Sequence, residues 1–291
     1  MSINAGVRNR ANGAVKALCN DPECSTSVRL ESAGQIRRGG GGERALVTGG
    51  AGFFGFRLGK ALAMQGISVI LLDLHQPRWE LPDGAVFLQG DVRDYDTLYK
   101  ACAGVDCIFH TASYGMSGPE QLRKELVESV NVGGTNNVIN VCCERGVSRL
   151  VYTSTVNVVF AGKPIEDGDE DSVPCVPLDK NGQAYFINDG ESVNVFDWMT
   201  PLFERLGYTR PLIRLPVSLV YSAAFLMEQL HVALRPFVKV PLLLTRNEVR
   251  NISVSHTFRI EKARQELGFS PKKYTLADSV DQYLQSRPDA S

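Results

Sequence analysis

The sequence lacks a surplus of charge of either sign, because 31 Lys and Arg residues are balanced by 32 Asp and Glu residues. A nearly neutral chain offers no broad basic surface to nucleic acid, so a nucleic-acid partner is not expected. With 291 residues, of which 44% are hydrophobic, the chain can bury the core of one large domain or two small ones.

Cysteine and histidine lack the spacings that indicate disulfide frameworks or metal sites. The seven cysteines are an odd number without a C-x-x-C pair, and the four histidines share no metal-ligand spacing. We therefore expect no metal site and reduced, mostly buried thiols in an intracellular protein. The cysteines are Cys19, Cys24, Cys102, Cys107, Cys142, Cys143 and Cys175.

An apolar run long enough to cross a membrane is also missing. The longest run, Leu215 to Met227, has thirteen residues, whereas a span needs about twenty. We predict that the segment Leu215–Leu234 forms a core helix or, as the alternative, a helix on a membrane surface. Residues 1–42 contain no secretory apolar segment and are predicted to be a disordered extension, with a mitochondrial presequence as the alternative.

Strand-like and helix-like segments alternate from Glu43 onwards. Continuous apolar runs such as "ISVILLD" (67–73) are typical of parallel strands that are covered on both faces. The alternation predicts an α/β fold with a doubly wound parallel sheet of the Rossmann type. Strands are predicted at 44–49, 67–73, 85–91, 106–112 and 149–155, and helices at 53–66, 94–103, 117–130 and 134–145.

The alternation breaks after Lys180, where only scattered elements are predicted. Residues 43–180 are therefore predicted to form one Rossmann-type domain that ends after its fifth strand, and residues 181–291 to form a partial C-terminal region. Ser117 and Glu120 have capping-box spacing at the start of the predicted helix 117–130. In the C-terminal region, strands are predicted at 184–189 and 252–258, and helices at 194–206 and 260–267.

A glycine-rich turn, "VTGGAGFFG" (47–55), lies between the first predicted strand and helix. Gly49 allows the tight turn, Gly52 allows backbone amides to approach a pyrophosphate, and Gly55 allows the helix to pack closely on the strand. Asp73 ends the second predicted strand, where a carboxylate accepts ribose hydroxyls and repels a 2′-phosphate. NAD is therefore favoured over NADP, although Arg78 offers the opposite preference.

Four motifs in this order resemble the extended short-chain dehydrogenase/reductases. They are the T-G-x-x-G-x-x-G turn at 48–55, "GDVRD" with Asp91, "HTAS" with His110, and "NVGGT" with Asn131. In isolation Asp91 is equally a solvated turn acid, and His110 is equally a hydrogen-bonded core imidazole. The resemblance implies that the cofactor is lined by Gly49, Gly52, Phe53, Phe54, Gly55, Asp73, Asp91, Val92, His110, Ala112, Asn131 and Ser154.

A narrower resemblance connects the chain to the 3β-hydroxysteroid dehydrogenase family, and within it to family 42E. The segments "FHTASYGMSG", "RLVYTSTVNVVFAG" and "SLVYSAAFLMEQLHVALRPF" carry it, and it covers residues 43–288. It implies NAD-dependent oxidation of a CH–OH group on a steroid-like molecule. It also implies a cytoplasmic or endoplasmic-reticulum-membrane location and, as a possibility, a homodimer or heterodimer.

The general base that this chemistry needs is missing. In the family, a tyrosine removes the alcohol proton, and a lysine four residues later lowers the pKa of its phenol from the ordinary value near 10. No tyrosine of this chain has a lysine at that spacing, and Tyr185 is followed by Asp189. Thr155 matches the family's substrate-orienting hydroxyl, so the resemblance leaves it as a catalytic remnant.

The break after Lys180 has the form of an internal deletion. Residues 177–180 and 181–190 resemble two distant family segments joined directly, which omits about three βα units, or roughly a hundred residues. The missing part would include the Tyr-x-x-x-Lys helix. We therefore expect this chain to be inactive, either as a variant of a complete dehydrogenase or as a pseudoenzyme that binds nucleotide or a full-length partner.

Overall fold

A computed structural model describes residues 3–7, 42–160, 162–173, 183–209, 215–234, 242, 244–271 and 280. The chain divides into two compact units. The first unit comprises Ile3–Val158 and Cys175–Tyr185, and the second comprises Met1–Ser2, Val159–Pro174 and Phe186–Ser291.

The first unit alternates strands and helices, as the sequence predicts. Its strands are β1 (Ile3–Val7), β2 (Arg44–Thr48), β3 (Ser68–Asp73), β4 (Ala85–Gln89), β5 (Cys107–His110) and β6 (Arg149–Thr155). Its α-helices are α1 (Phe53–Ala63), α2 (Tyr95–Ala101), α3 (Lys124–Glu128) and α4 (Thr135–Arg145). Short 3-10 helices occur at Gly118–Leu122 and Val156–Val158, and a π-helical segment occupies Ser129–Gly134.

Five strands of the seven-stranded sheet have the order β4-β3-β2-β5-β6, and each neighbouring pair of these five is parallel. Consecutive residues of β2 point to opposite faces of the sheet. Leu46 packs in a buried cluster with Leu98 of α2 and Val138 of α4, whereas Val47 packs with Phe56 of α1. Helices thus cover both faces, which explains the continuous apolar runs and confirms the predicted doubly wound α/β fold.

The segment 117–130 differs from the single helix that its sequence predicts. It consists of the 3-10 helix Gly118–Leu122, then α3, and then the start of the π-helical segment. Gly118 adopts φ 68°, a left-handed conformation that a regular first helical turn does not contain. The side chain of Ser117 makes no capping hydrogen bond, so the capping-box prediction is wrong.

Strand β6 is the last of the parallel strands and, like β4 at the other end of that order, is less buried than β2. The four residues of β2 that follow Arg44 are all buried, but no residue of β6 is fully buried. Because β4 shows the same lack of buried residues, the expectation that a covering helix is missing beside β6 stays a prediction. At the other edge of β6, β1 pairs antiparallel, from Ile3 opposite Thr155 to Val7 opposite Val151. Residues 3–7 of the extension that was predicted to be disordered thus form a strand, and residues 8–41 lie outside the described ranges, where disorder stays a prediction.

The second unit contains the C-terminal elements. Strand β7 (Ile165–Gly168) pairs in parallel with β9 (His256–Phe258), and β8 (Gln183–Ile187) runs from the residues of the first unit into those of the second. The predicted strand 252–258 is shorter than expected, because its first residues belong to helix α7. The helices are α5 (Val195–Arg205), α6 (Val217–Leu234), α7 (Arg246–Ser253) and α8 (Glu261–Leu267).

Helix α6 is largely exposed, so the prediction of a core helix is wrong. Within it only Ala224 and Glu228 are buried. Glu228 pairs with Arg246 of α7 at 2.6 Å, so the single buried charge of the helix faces its neighbour. By length and composition alone, the 18 residues of α6, with mean hydropathy 1.4, are long and apolar enough to cross a membrane.

Candidate functional site

The glycine turn packs directly against the residues that follow β5. Gly49 has φ 70°, and a Cβ atom there would lie 2.9 Å from the Cα and N atoms of Ala112. A Cβ atom on Gly55 would lie 2.2 Å from the carbonyl oxygen of Gly49 and 2.9 Å from Oγ1 of Thr111. These neighbours are mostly backbone and cannot move aside, so both glycines are required by the packing of the turn itself.

Gly52 differs from the other two, because little of the protein surrounds it. Its backbone is extended, and an added Cβ atom would meet only the carbonyl oxygen of Gly49, at 3.2 Å. Gly52 is the N-cap of α1, where no side chain caps the helix and no acidic residue lies in the first turn. The first backbone amides of α1, at the exposed Phe53 and Phe54, therefore lack a side-chain acceptor and suit an anion such as a pyrophosphate.

The Asp73 carboxylate is held beside this turn at the end of β3. Its Oδ2 accepts a hydrogen bond from the backbone amide of Ala51 at 3.0 Å, and its Oδ1 accepts one from the amide of Leu74 at 2.7 Å. A carboxylate has about four acceptor sites, so capacity remains for ribose hydroxyls. The structure thus brings Asp73 and the glycine turn together, as the sequence predicts.

An aromatic cluster that the sequence analysis missed attaches the loop after Asp73 to helix α1. The ring of Trp79 lies 5.1 Å from that of Phe56 and 6.3 Å from that of Phe53. The guanidinium of Arg57 lies 4.3 Å above the Phe53 ring. Contacts of this kind are typical of aromatic side chains that fix a loop. Arg78, the residue that favours NADP, directly precedes Trp79 in this loop.

Asp91 and Val92 are engaged within the protein. Arg93 donates to both carboxylate oxygens of Asp91, with Nε 3.0 Å from Oδ1 and Nη2 2.5 Å from Oδ2. This hydrogen bonding holds the pKa of Asp91 below its ordinary value. An adenine amino group would have to share the carboxylate with Arg93. Val92 is buried, and a Cβ atom on Gly134 would lie 2.6 Å from its Cγ2, which makes it a packing residue.

The polar side-chain atoms of His110 and Asn131 also form hydrogen bonds within the protein. His110 is buried, and its ring nitrogens lie within hydrogen-bond distance of the Thr48 and Thr135 hydroxyls. Burial lowers the pKa of His110 from 6.5 to about 4, so the ring is neutral at physiological pH. The Asn131 amide bonds the backbone of Tyr114 twice, at 2.8 and 2.9 Å. The core-imidazole alternative for His110 therefore describes its ring correctly.

The two hydroxyl residues that the resemblance assigns to the site, Ser154 to the cofactor and Thr155 to the substrate, lie at the end of β6. Ser154 and Thr155 are half-buried, and Oγ1 of Thr155 accepts a weak hydrogen bond from the amide of Asn157 at 3.3 Å. Tyr185 is buried in β8, which makes it unsuited to meet a substrate. Across the described part of the chain, no group of three or more His, Cys, Asp or Glu residues is placed to hold a metal ion. The Lys180–Asn181 junction lies outside the described residues.

Comparisons with known proteins identify the family of the chain. A family model described as the 3-beta hydroxysteroid dehydrogenase/isomerase family matches residues 46–176. Short-chain dehydrogenase/reductase family 42E member 1 of Xenopus laevis is 36% identical over 338 residues, with 82% of this chain and 87% of that protein covered. The chain belongs to short-chain dehydrogenase/reductase family 42E. The resemblance seen in its motifs is thereby confirmed.

This family 42E chain also has more distant similarities. The 3beta-hydroxysteroid-dehydrogenase/decarboxylase isoform 1 of Arabidopsis thaliana is 27% identical, with 78% of this chain and 75% of that protein covered. The crystal structure of gox2253 has a TM-score of 0.55 at 20% identity and covers 84% of this chain and 98% of its own. MoeE5, in complex with UDP-glucose and NAD, has a TM-score of 0.52 at 18% identity, with coverages of 84% and 99%. These two structures support the fold alone.

Proposed function

We propose that this family 42E chain binds a nicotinamide dinucleotide at the turn Gly49–Gly55, with NAD preferred over NADP. The observation that carries the proposal is the uncapped N-terminus of α1 next to the Asp73 carboxylate. The helix end attracts the pyrophosphate, and the carboxylate accepts ribose hydroxyls while repelling a 2′-phosphate. The bound cofactor would supply the hydride acceptor for oxidation of an alcohol.

The substrate class that we propose is a steroid-like molecule with a CH–OH group. The names of the matching family and of the Arabidopsis relative both refer to 3β-hydroxysteroids. A complete family member would then act as a dehydrogenase in steroid metabolism. In this chain, Thr155 would orient the substrate oxygen, as the resemblance implies.

We further propose that this chain does not turn over substrate by itself. The alcohol proton must leave as the hydride does, and no Tyr-x-x-x-Lys pair exists anywhere in the sequence. A free phenol with a pKa near 10 is a poor acid–base group at neutral pH without a cation beside it. The chain is then a nucleotide-binding pseudoenzyme, alone or as the partner of a full-length isoform in a dimer.

An internal deletion is our explanation for the missing pair. Since 82% of 291 residues is about 239, about a hundred of the 338 aligned positions have no counterpart in this chain. The family match also stops at residue 176, just before Lys180. Genomic sequence that encodes a Tyr-x-x-x-Lys helix between the codons for Lys180 and Asn181 would support the deletion. An uninterrupted exon across this junction would contradict it.

Contact between α6 and a membrane surface is a second proposal, favoured by the polarity of that helix. Its buried side carries Glu228, paired with α7, while Leu219, Leu226 and Leu230 are more than half exposed. A helix that packs against the core of a soluble protein has the opposite arrangement, with its apolar side chains buried and its charged side chains exposed. The proposal agrees with an endoplasmic-reticulum-membrane location, with the cytoplasm as the alternative. Flotation with phospholipid vesicles should be lost when Leu226 and Leu230 are replaced by Gln, and unchanged flotation would contradict it.

Titration of the purified chain with NADH, followed by fluorescence, tests the cofactor proposal, and a parallel titration with NADPH tests the preference. A turnover assay with NAD and a panel of 3β-hydroxysteroids on the same sample tests the proposed inactivity. We expect NADH binding without turnover. Steroid oxidation by the chain alone would refute the inactivity, whereas failure to bind either nucleotide would refute the cofactor site. Light scattering on a size-exclusion column, with and without a full-length isoform, tests the proposed partnership.

A further inference from the structure

The imidazole of His110 lies in a closed set of hydrogen bonds beneath the glycine turn. The side chain is 1% exposed, Nδ1 lies 2.7 Å from Oγ1 of Thr48, and Nε2 lies 2.9 Å from Oγ1 of Thr135. Thr48 is the last residue of β2 and precedes Gly49, while Thr135 begins helix α4. One ring therefore connects the strand that carries the turn to the helix that follows Asn131.

The directions of these hydrogen bonds follow from counting protons. The Thr135 hydroxyl donates its single proton to the carbonyl oxygen of Asn131 at 2.7 Å, so it can only accept from His110. The Nε2 atom must therefore carry the imidazole proton, and Nδ1 must be an acceptor. The Thr48 hydroxyl accepts from the amide of Ala112 at 3.3 Å and keeps its own proton for Nδ1. The neutral Nε2–H tautomer satisfies every member of the set.

The same hydrogen bonds fix the backbone of Thr48 immediately before the turn. Its carbonyl oxygen accepts from the amide and the hydroxyl of Thr111, at 3.2 and 2.6 Å. A Cβ atom on Gly49 would collide with the backbone of Ala112. The turn thus rests on the segment 110–112, and the His110 ring holds the Thr48 side chain against it. A shift of Thr48 would be passed to Gly49 and to the amides that follow.

We propose that His110 is a positioning residue for the dinucleotide, which it never touches: by accepting from Thr48 and donating to Thr135, it sets the glycine turn in the geometry that binds phosphate. This inference rests on the proposed NAD site. It differs from a cofactor-lining role for His110, because both ring nitrogens are already used within the protein.

Three substitutions at His110 separate positioning from simple packing. His110→Phe fills the space but removes the histidine partner of the buried Thr48 hydroxyl and of the half-buried Thr135 hydroxyl, and the NADH dissociation constant should rise about tenfold. The His110→Asn side-chain oxygen reaches the Nδ1 position and can accept from Thr48, so affinity should return towards that of the unchanged chain. In His110→Gln, the side-chain amide nitrogen reaches the Nε2 position and restores only the hydrogen bond to Thr135, so this variant should recover less affinity for NADH.

Thr245→Val is the matched control. Thr245 is also a buried threonine, and it caps helix α7 in the second unit. This substitution should lower the melting temperature and leave the NADH dissociation constant unchanged. A folded His110→Phe variant with unchanged affinity would overturn the inference while the NAD site stands. Equal affinities for His110→Asn and His110→Gln would also overturn it. Absence of NADH binding by the unchanged chain would overturn the proposed function and the inference together.

The tautomer gives a test that needs no variant. In nitrogen-15 spectra of the unchanged chain, one of the four histidines should show a protonated Nε2 and an unprotonated Nδ1. Its signals should not titrate between about pH 5.5 and 8, where an ordinary histidine does, and they should shift when NADH binds. A protonated Nδ1, or a titration of His110 near pH 6.5, would refute the hydrogen-bond set.

Discussion

Gly52→Ala should separate nucleotide binding from folding. Gly52 has φ −69° and ψ 161°, which alanine adopts without strain, and its Cβ atom would contact only the carbonyl oxygen of Gly49 at 3.2 Å. The backbone angles therefore accept alanine, and the Gly49 carbonyl has to move by only a few tenths of an ångström to make room for the methyl group. A methyl group there would instead stand where a pyrophosphate must approach the amides at the start of α1.

The expected magnitudes follow from these contacts. Reduced freedom of the unfolded chain favours alanine by about 0.4–1 kcal/mol, and the poorer N-cap costs an amount of similar size. The free energy of unfolding should therefore change by less than about 1 kcal/mol. Loss of one amide–phosphate hydrogen bond, at about 1.5–3 kcal/mol for a charged acceptor, should weaken NADH binding by about ten- to 150-fold.

The assay combines fluorescence titration with NADH and urea unfolding of the same samples. Gly66→Ala provides the opposite control, because Gly66 has φ 82° and nothing within 4 Å of an added Cβ atom. That variant should lose about 1–2 kcal/mol of stability from backbone strain and keep its NADH affinity. If Gly52→Ala binds NADH as tightly as the unchanged chain, the pyrophosphate does not lie on this turn.

Three further predictions concern side chains that can gain or lose a proton. Asp73→Ser removes the repulsion of a 2′-phosphate, so the ratio of NADPH to NADH affinity should rise at least tenfold in parallel titrations; an unchanged ratio would show that Asp73 does not choose the cofactor. Because burial lowers the pKa of His110 from 6.5 to about 4, unfolded chains bind a proton that folded chains do not. The free energy of unfolding should therefore fall by about 3 kcal/mol as pH drops from 6.5 towards 4, and urea titrations of His110→Phe should lack this component. Glu228→Gln weakens the hydrogen bonds from the Arg246 backbone amide and side chain, at 2.7 and 2.6 Å. Because Arg246 remains partly solvated, the free energy of unfolding in urea should fall by only about 1–2 kcal/mol. An unchanged free energy of unfolding would mean that the pair does not support the α6–α7 contact.

Local patterns predicted much of the nucleotide-binding unit. The continuous apolar run at 67–73 became β3, and the spacing of residues 53–66 became α1, because burial on two faces and a 3.6-residue period leave direct traces in the sequence. The helix predicted at 117–130 failed, since Gly118 adopts a left-handed conformation that the capping-box spacing does not reveal. The prediction that α6 lies in the core was wrong for another reason, because an apolar composition does not reveal whether other elements pack over a helix.

The sequence by itself determined the glycine spacing, Asp73 at a strand end, and the missing Tyr-x-x-x-Lys pair, because these are matters of residue type and short separation. Only the tertiary structure decided where the polar atoms of the site are used. Thr48 and His110 are 62 residues apart and His110 and Thr135 are 25 apart, so no local pattern joins them. Hydrogen bonds form between groups that the sheet brings together, and that arrangement makes His110 a part of the support beneath the turn.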